Sequence, residues 1–329
     1  MYQLVETTVR LRCGNADRRG LPPTALGSFY RWLPEVTQRT LGVALRGAST
    51  KAGRKRAWWS AATEVRWLDQ SFKNGEATVT FGAPRLGEAA EEIYQQQMID
   101  GIEDWRPSRQ STVIDLMSTA LADVLGDRPD SDRLDDGVLV SFGHLDSFLG
   151  GTEGFAELVL PARTDDRFAQ PLPEVHCDAT APERAKSWHK KTPQPRSARV
   201  AGVVTMIDTE TNRFALKLDD GKRVFGIFTP DDFSPVKKLV DQRVTVFGKV
   251  LYRPTGAALR LDVEGIEADP QAATFFSRLP EPPRPMREQL RHQSLAGKGS
   301  IEGLFGILAP GPDESDDEDT FIREVEAVS

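Results

Sequence analysis

At 329 residues the chain exceeds one typical domain, so two domains plus terminal segments are expected. Its composition, 39% hydrophobic and 28% charged, suits a soluble protein with a sizeable core and argues against a fibrous or wholly disordered one. The formal charge of −7 hides a polarity: residues 1–70 hold 12 Lys and Arg against 5 Asp and Glu, residues 301–329 hold 1 against 9, and such asymmetry favours electrostatic partners, elsewhere or within the chain.

Two distant cysteines, Cys13 and Cys177, make no disulfide framework and favour a reducing compartment. "MYQLVETTVRLRC" lacks the basic-then-apolar pattern of a signal peptide, and no stretch approaches the roughly 20 apolar residues of a membrane helix. A cytoplasmic protein without a membrane partner is expected.

In chain order, "MYQLVETTVRLRC" alternates Leu4, Val9 and Leu11 with polar residues and predicts a strand. "TALGSFYRWLPEVTQRTLGVAL" spaces Leu26, Phe29, Leu33, Val36, Thr40 and Val43 by threes and fours, predicting an amphipathic helix capped at Thr24 and bent or restarted at Pro34. "RGASTKAGRKR" predicts a loop. Asn74-Gly75 between Val65, Trp67 and Ala77, Val79, Phe81 predicts a hairpin on a type I′ turn. "LGEAAEEIYQQQMIDGIEDW", "STVIDLMSTALADVL" and "RLDDGVLVSFGHLDSFL" read as helical, with Ser111 and Asp130 as starts, and "GFAELVLPA" as a strand. Residues 1–170 thus read as an α+β domain. Residues 171–197, rich in Pro, Lys and Arg and without period, predict an extended or mobile linker.

Residues 198–270 read as a small all-β domain. "ARVAGVVTMIDT" is a strand, and "NRFALKLDDGKRVFGIF" a hairpin around Asp220-Gly221. "DDFSPVKKLVD" reads as a short helix; "QRVTVFGKVLYRPTG" and "AALRLDVEGIEA" are the fourth and fifth strands. The order β-β-β-α-β-β, with Gly202, Gly226 and Gly248 placed to bend strands, resembles the OB-fold over residues 198–268. Beyond it lie a Pro-rich, basic connector (271–300), where "REQLRHQSLAG" reads as a short helix, and an acidic tail (301–329). The expected fold is therefore an α+β N-terminal domain, a small OB-like five-stranded barrel and an acidic C-terminal tail.

Catalytic chemistry is hard to find in these residues. The four histidines, His144, His176, His189 and His292, have no Cys, His or carboxylate partner at metal-ligand spacing, and no phosphate-binding loop or nucleophile elbow is present. No catalytic residue, metal ligand or cofactor is assigned, and an enzyme with a dispersed site in the N-terminal domain is kept as the third reading.

The tail carries the leading reading. "DESDDED" puts six carboxylates among residues 313–319, and Phe321, Ile322, Val325 and Val328 follow at helical steps. So short a helix is marginal alone and suits ordering on a partner. "GLFGILAPGPDESDDEDTFIREVEAVS" resembles C-terminal segments of bacterial antitoxins encoded beside PIN-domain ribonucleases. The resemblance implies that Asp313, Glu314, Asp316 and Asp317 face the cations of such a nuclease and that Phe321, Ile322 and Val325 dock in an apolar groove. An inserted Pro312 and the greater length of this chain depart from that pattern.

The alternative is a single-stranded nucleic-acid-binding protein. Lys51, Arg54, Lys55 and Arg56 precede Trp58 and Trp59, so cations could meet phosphates while Trp58 stacks; equally, the loop could be solvated and the tryptophans could be core. On the barrel, Phe225 and Phe247 fall out of step with the buried positions, and Lys217, Arg223, Lys249 and Arg253 could flank them. Against this, the barrel holds 11 cations and 11 carboxylates, and phosphate binding needs excess positive charge. In this reading the acidic tail acts as an internal mimic of nucleic acid.

Overall fold

The computed structural model describes residues 2–14, 22–50, 57–95, 106–150, 154–163, 171–208, 211–228, 239–268, 276 and 278–282. These belong to one compact unit, Met1–Pro282. The tail reading, the "REQLRHQSLAG" helix and most of the "DDFSPVKKLVD" helix fall outside the described residues.

The first half is built on β1 (Leu4–Cys13), which turns Thr7, Val9 and Leu11 inward. α1 (Pro23–Leu41) runs through Pro34 as one helix. No side chain caps its start, so the Thr24 cap is corrected: Pro22 occupies that position and prolines preset the first turn. A π-helical turn, Gly42–Arg46, extends α1, and α2 (Ala57–Ala62) follows. β2 (Arg66–Lys73) and β3 (Glu76–Pro84) form the expected hairpin; Asn74 (φ 52°) and Gly75 (φ 75°) supply the two positive angles of a type I′ turn.

The next expected helix is broken into α3 (Leu86–Ala89) and α4 (Glu91–Gln95), with residues 96–105 outside the description. α5 (Val113–Leu125) starts at Thr112 rather than Ser111, because Thr112 and Asp115 form a reciprocal capping box. α6 (Asp136–Gly143) starts at Asp135 rather than Asp130, with Asp135 Oδ1 accepting from the Val138 N–H at 3.1 Å. β4 (Phe155–Leu160) pairs with β1.

The largest difference from the sequence reading is at residues 171–197. They hold β5 (Val175–Cys177) and α7 (Thr180–Lys191). Ala181, Ala185 and Trp188 form a short stripe that sinks into the core, while the charges around them stay outside. The antiparallel sheet reads β2-β3-β1-β4-β5, with helices on one face enclosing a single apolar cluster that includes Phe29, Trp32, Phe142 and Phe148.

A closed barrel follows: β6 (Arg196–Asp208), β7 (Arg213–Lys217), β8 (Arg223–Phe228), β9 (Arg243–Tyr252) and β10 (Ala258–Ala268), in the order β10-β8-β7-β6-β9. Only β8 and β10 pair in parallel, which makes a mixed five-stranded barrel compatible with an OB-like fold. Phe214, Leu216, Val246 and Val263 fill it. Gly226 is required there, since a Cβ would lie 2.3 Å from the Phe214 ring.

Candidate ligand-binding cleft

Alternation along β7 and β8 sends Phe214, Leu216 and Val224 inward and leaves Arg213, Arg223, Phe225 and Ile227 on the outer face. That face does not look into open solvent. With the π-helical turn and the segment after α5 it bounds a cavity of about 1130 Å³. Asp130 accepts a hydrogen bond from Thr255, and Asp132 accepts one from Arg253 in the turn between β9 and β10, so the helical layer and the barrel are tied at the cleft rim.

Six arginines line the cleft: Arg106, Arg128, Arg133, Arg213, Arg223 and Arg260. Four carboxylates accompany them: Asp123, Asp127, Asp130 and Asp132. The barrel as a whole is neutral; among the described residues the cleft lining holds two more arginines than carboxylates, with Arg260 itself paired to Asp135 and Asp262. The Arg213 guanidinium lies 5.6 Å from the Phe225 ring centroid and donates to the Ala44 carbonyl at 3.4 Å. Burial pulls its pKa down to about 10, against an opposing pull from Asp208, so it remains a cation at neutral pH. Arg223, on the facing strand, is exposed and has no carboxylate partner among the described residues.

The opposite wall is fixed by one carboxylate. Asp123, near the end of α5, accepts from Ser131 Oγ at 2.6 Å, Arg133 Nη1 at 2.9 Å and Arg128 Nη1 at 3.5 Å. Farther along, Arg106 donates to the Ile93 carbonyl at 2.9 Å and lies 5.8 Å from the Tyr94 ring centroid.

The sequence-derived site residues that are among the described ones do not come together in one place. Lys51, Arg54, Lys55 and Arg56 lie outside the described residues, as do Asp313, Glu314, Asp316, Asp317, Phe321, Ile322 and Val325. Trp58 is 5% exposed and packs against Trp59 in the core, so it offers no ring for stacking. Phe225 lines the cleft, whereas Phe247 is on β9 under the Arg199 guanidinium, 5.0 Å from its ring centroid. The expected aromatic pair is therefore split, because β10 stands between β8 and β9 on one side and β7 with β6 on the other. Lys249 is exposed on β9, and Arg253 is engaged with Asp132 and the Ala258 carbonyl.

Arg213, Asp123, Arg128 and Arg133 were not singled out by the sequence. Arg213 shares the outward phase of Phe225, a signal that alternation carries; the other three lie within eleven residues of one another and are gathered by the turn after α5. Among the described residues no group of His, Cys, Asp and Glu is arranged to hold a metal ion, and no helix is long and apolar enough to cross a membrane. Comparison of the chain with protein-family models, curated proteins and solved structures finds no match.

Proposed function

We propose that the chain is a non-enzymatic binding protein that takes single-stranded nucleic acid in the cleft on the β7–β8 face. One observation carries this: the second and third strands of the barrel, the face with which OB-folds bind oligonucleotides, present Arg213, Arg223 and Phe225 to an arginine-rich cavity. Backbone phosphates suit the guanidiniums, and a base suits the Phe225 ring. The antitoxin-like reading draws on tail residues alone, while the cleft reading draws on a shaped and charged surface.

Fluorescence anisotropy of a short oligo-dT or oligo-U with the full chain tests it across a salt series. Affinity is expected to fall steeply with salt. Phe225→Ala is expected to weaken binding by about 1–3 kcal/mol, the usual worth of one stacked base. Phe247→Ala, on the other side of the barrel, is the control and leaves it unchanged. Equal losses from both substitutions, or binding indifferent to salt, would overturn the assignment.

A further inference from the structure

The geometry points to Asp123 as a positioning residue that presents Arg128 and Arg133 as a two-pronged clamp for consecutive phosphates of the strand. This rests on the cleft reading above and names the part of the wall that grips the backbone.

Asp123 is an unusual neighbour for a polyanion site. Its side chain is 4% exposed, whereas those of Arg128 and Arg133 are 72% and 55% exposed. The carboxylate is thus fixed inside and the guanidiniums stand out into the cleft they line. Each arginine bonds Asp123 through one Nη1, and a guanidinium has four further N–H groups to offer. The backbone is set for this arrangement. Asp127 adopts φ 54° after α5, and the Arg128 N–H returns to the Asp123 carbonyl at 2.9 Å. Ser131 Oγ then bonds both the Asp123 carboxylate and the Arg133 N–H.

An untethered surface arginine loses much rotamer freedom when it meets a phosphate. One held by a fixed carboxylate has less to lose, so the clamp is preorganised. The cost is one negative charge close to the ligand. These two effects have opposite signs, and the sign can be measured. If Asp123 only contributed its charge, Asp123→Asn would tighten binding of a polyanion. If it positions the arginines, the same substitution weakens binding.

The experiment uses the full chain and an oligo-dT probe over 50–300 mM salt, a range of order-of-magnitude choice for counterion release. Wild type, Asp123→Asn, the double variant Arg128→Gln/Arg133→Gln and the triple variant are compared. Loss of two phosphate contacts is expected to lower the slope of log K against log salt by about 1.4, at about 0.7 for each contact on a single strand. That corresponds to roughly 10- to 30-fold weaker binding near 0.1 M salt. Asp123→Asn is expected to move in the same direction as the double variant, and the triple variant to lose nothing more. Tighter binding by Asp123→Asn, or an unchanged slope, overturns the proposal while leaving the cleft reading in place. Should Asp123→Asn fail to fold, the surface double variant still decides, since an unchanged slope there removes the clamp. If wild type binds no oligonucleotide at any salt, the cleft reading itself fails and this proposal falls with it.

Discussion

His176 on β5 is held at both ring nitrogens: Nδ1 meets Glu157 Oε1 and Nε2 meets Glu174 Oε1, each at 2.8 Å. Arg12 bridges Glu157 to Glu76, and Arg10 pairs with Glu174, so a ladder of alternating charges crosses the outer face of the sheet. The bond to Glu157 is the main cause that raises the His176 pKa above its ordinary value; slight burial opposes it, and Glu174 adds to it. A histidine with a raised folded pKa contributes its full stability below the unfolded value of about 6.5, and that contribution disappears as pH rises through the folded value. Titration of the His176 ring by NMR is expected to show a midpoint above about 6.5, and His176→Gln is expected to flatten stability between about pH 6 and 8. A midpoint at or below the ordinary value would contradict this. The exposed ring makes the effect on stability small.

At the scale of elements, the strands other than the three-residue β5 were legible because their alternation survives in sequence. Val9, Leu11, Val79 and Phe81 mark one face of the sheet, and Asn74-Gly75 and Asp220-Gly221 mark its turn and that of the barrel. α7 was not legible. Its buried positions are Ala181, Pro182, Ala185 and Trp188, only the last of them large, set among Glu183, Arg184, Lys186, Lys190 and Lys191. Pro182 also reads as a breaker, although in the first turn of a helix it is tolerated. The cleft was legible only in part, because Phe225 and Arg223 announce an outward face but nothing in sequence says what stands opposite. If α7 is part of the core, Trp188→Ala should destabilise the protein by about 3–5 kcal/mol. Lys190→Ala, on the exposed side, should change stability by less than about 0.5 kcal/mol. Urea unfolding followed by circular dichroism measures both, and similar midpoints for the two variants would return residues 171–197 to the status of a linker.

At the scale of the molecule, the two cores are separate clusters, joined by polar contacts as well as by Ile227 of the barrel, which lies against Gly47. Asp135 is the central joint. Its Oδ1 caps α6 through the Val138 N–H, and its Oδ2 accepts from the Ser49 N–H at 2.8 Å and from Arg260 Nη1 of the barrel at 3.2 Å. Both side chains of the ion pair are below 10% exposed. An intact buried pair is weak evidence of net stabilisation, since desolvation offsets most of the attraction, but removing one partner leaves a buried charge unanswered. Arg260→Met should therefore destabilise the protein by about 3–5 kcal/mol. Asp135→Asn can keep an oxygen for the Val138 N–H, and with it the cap, but it loses the second carboxylate oxygen that serves Ser49 and Arg260 and leaves Arg260 with Asp262 as its carboxylate partner. The two losses should be far from additive in the double variant, because Asp135→Asn removes the buried carboxylate that Arg260→Met leaves without its countercharge, whereas Arg260 alone would still pair with Asp262. The shape of unfolding should change as well. Wild type is expected to melt in one calorimetric transition, because the joint makes each core's unfolding expose a charge in the other half. In the single variants the barrel and the helical layer should melt in two. One undivided transition in every variant would mean that the coupling resides elsewhere along the cleft rim, at the Asp132–Arg253 and Asp130–Thr255 contacts.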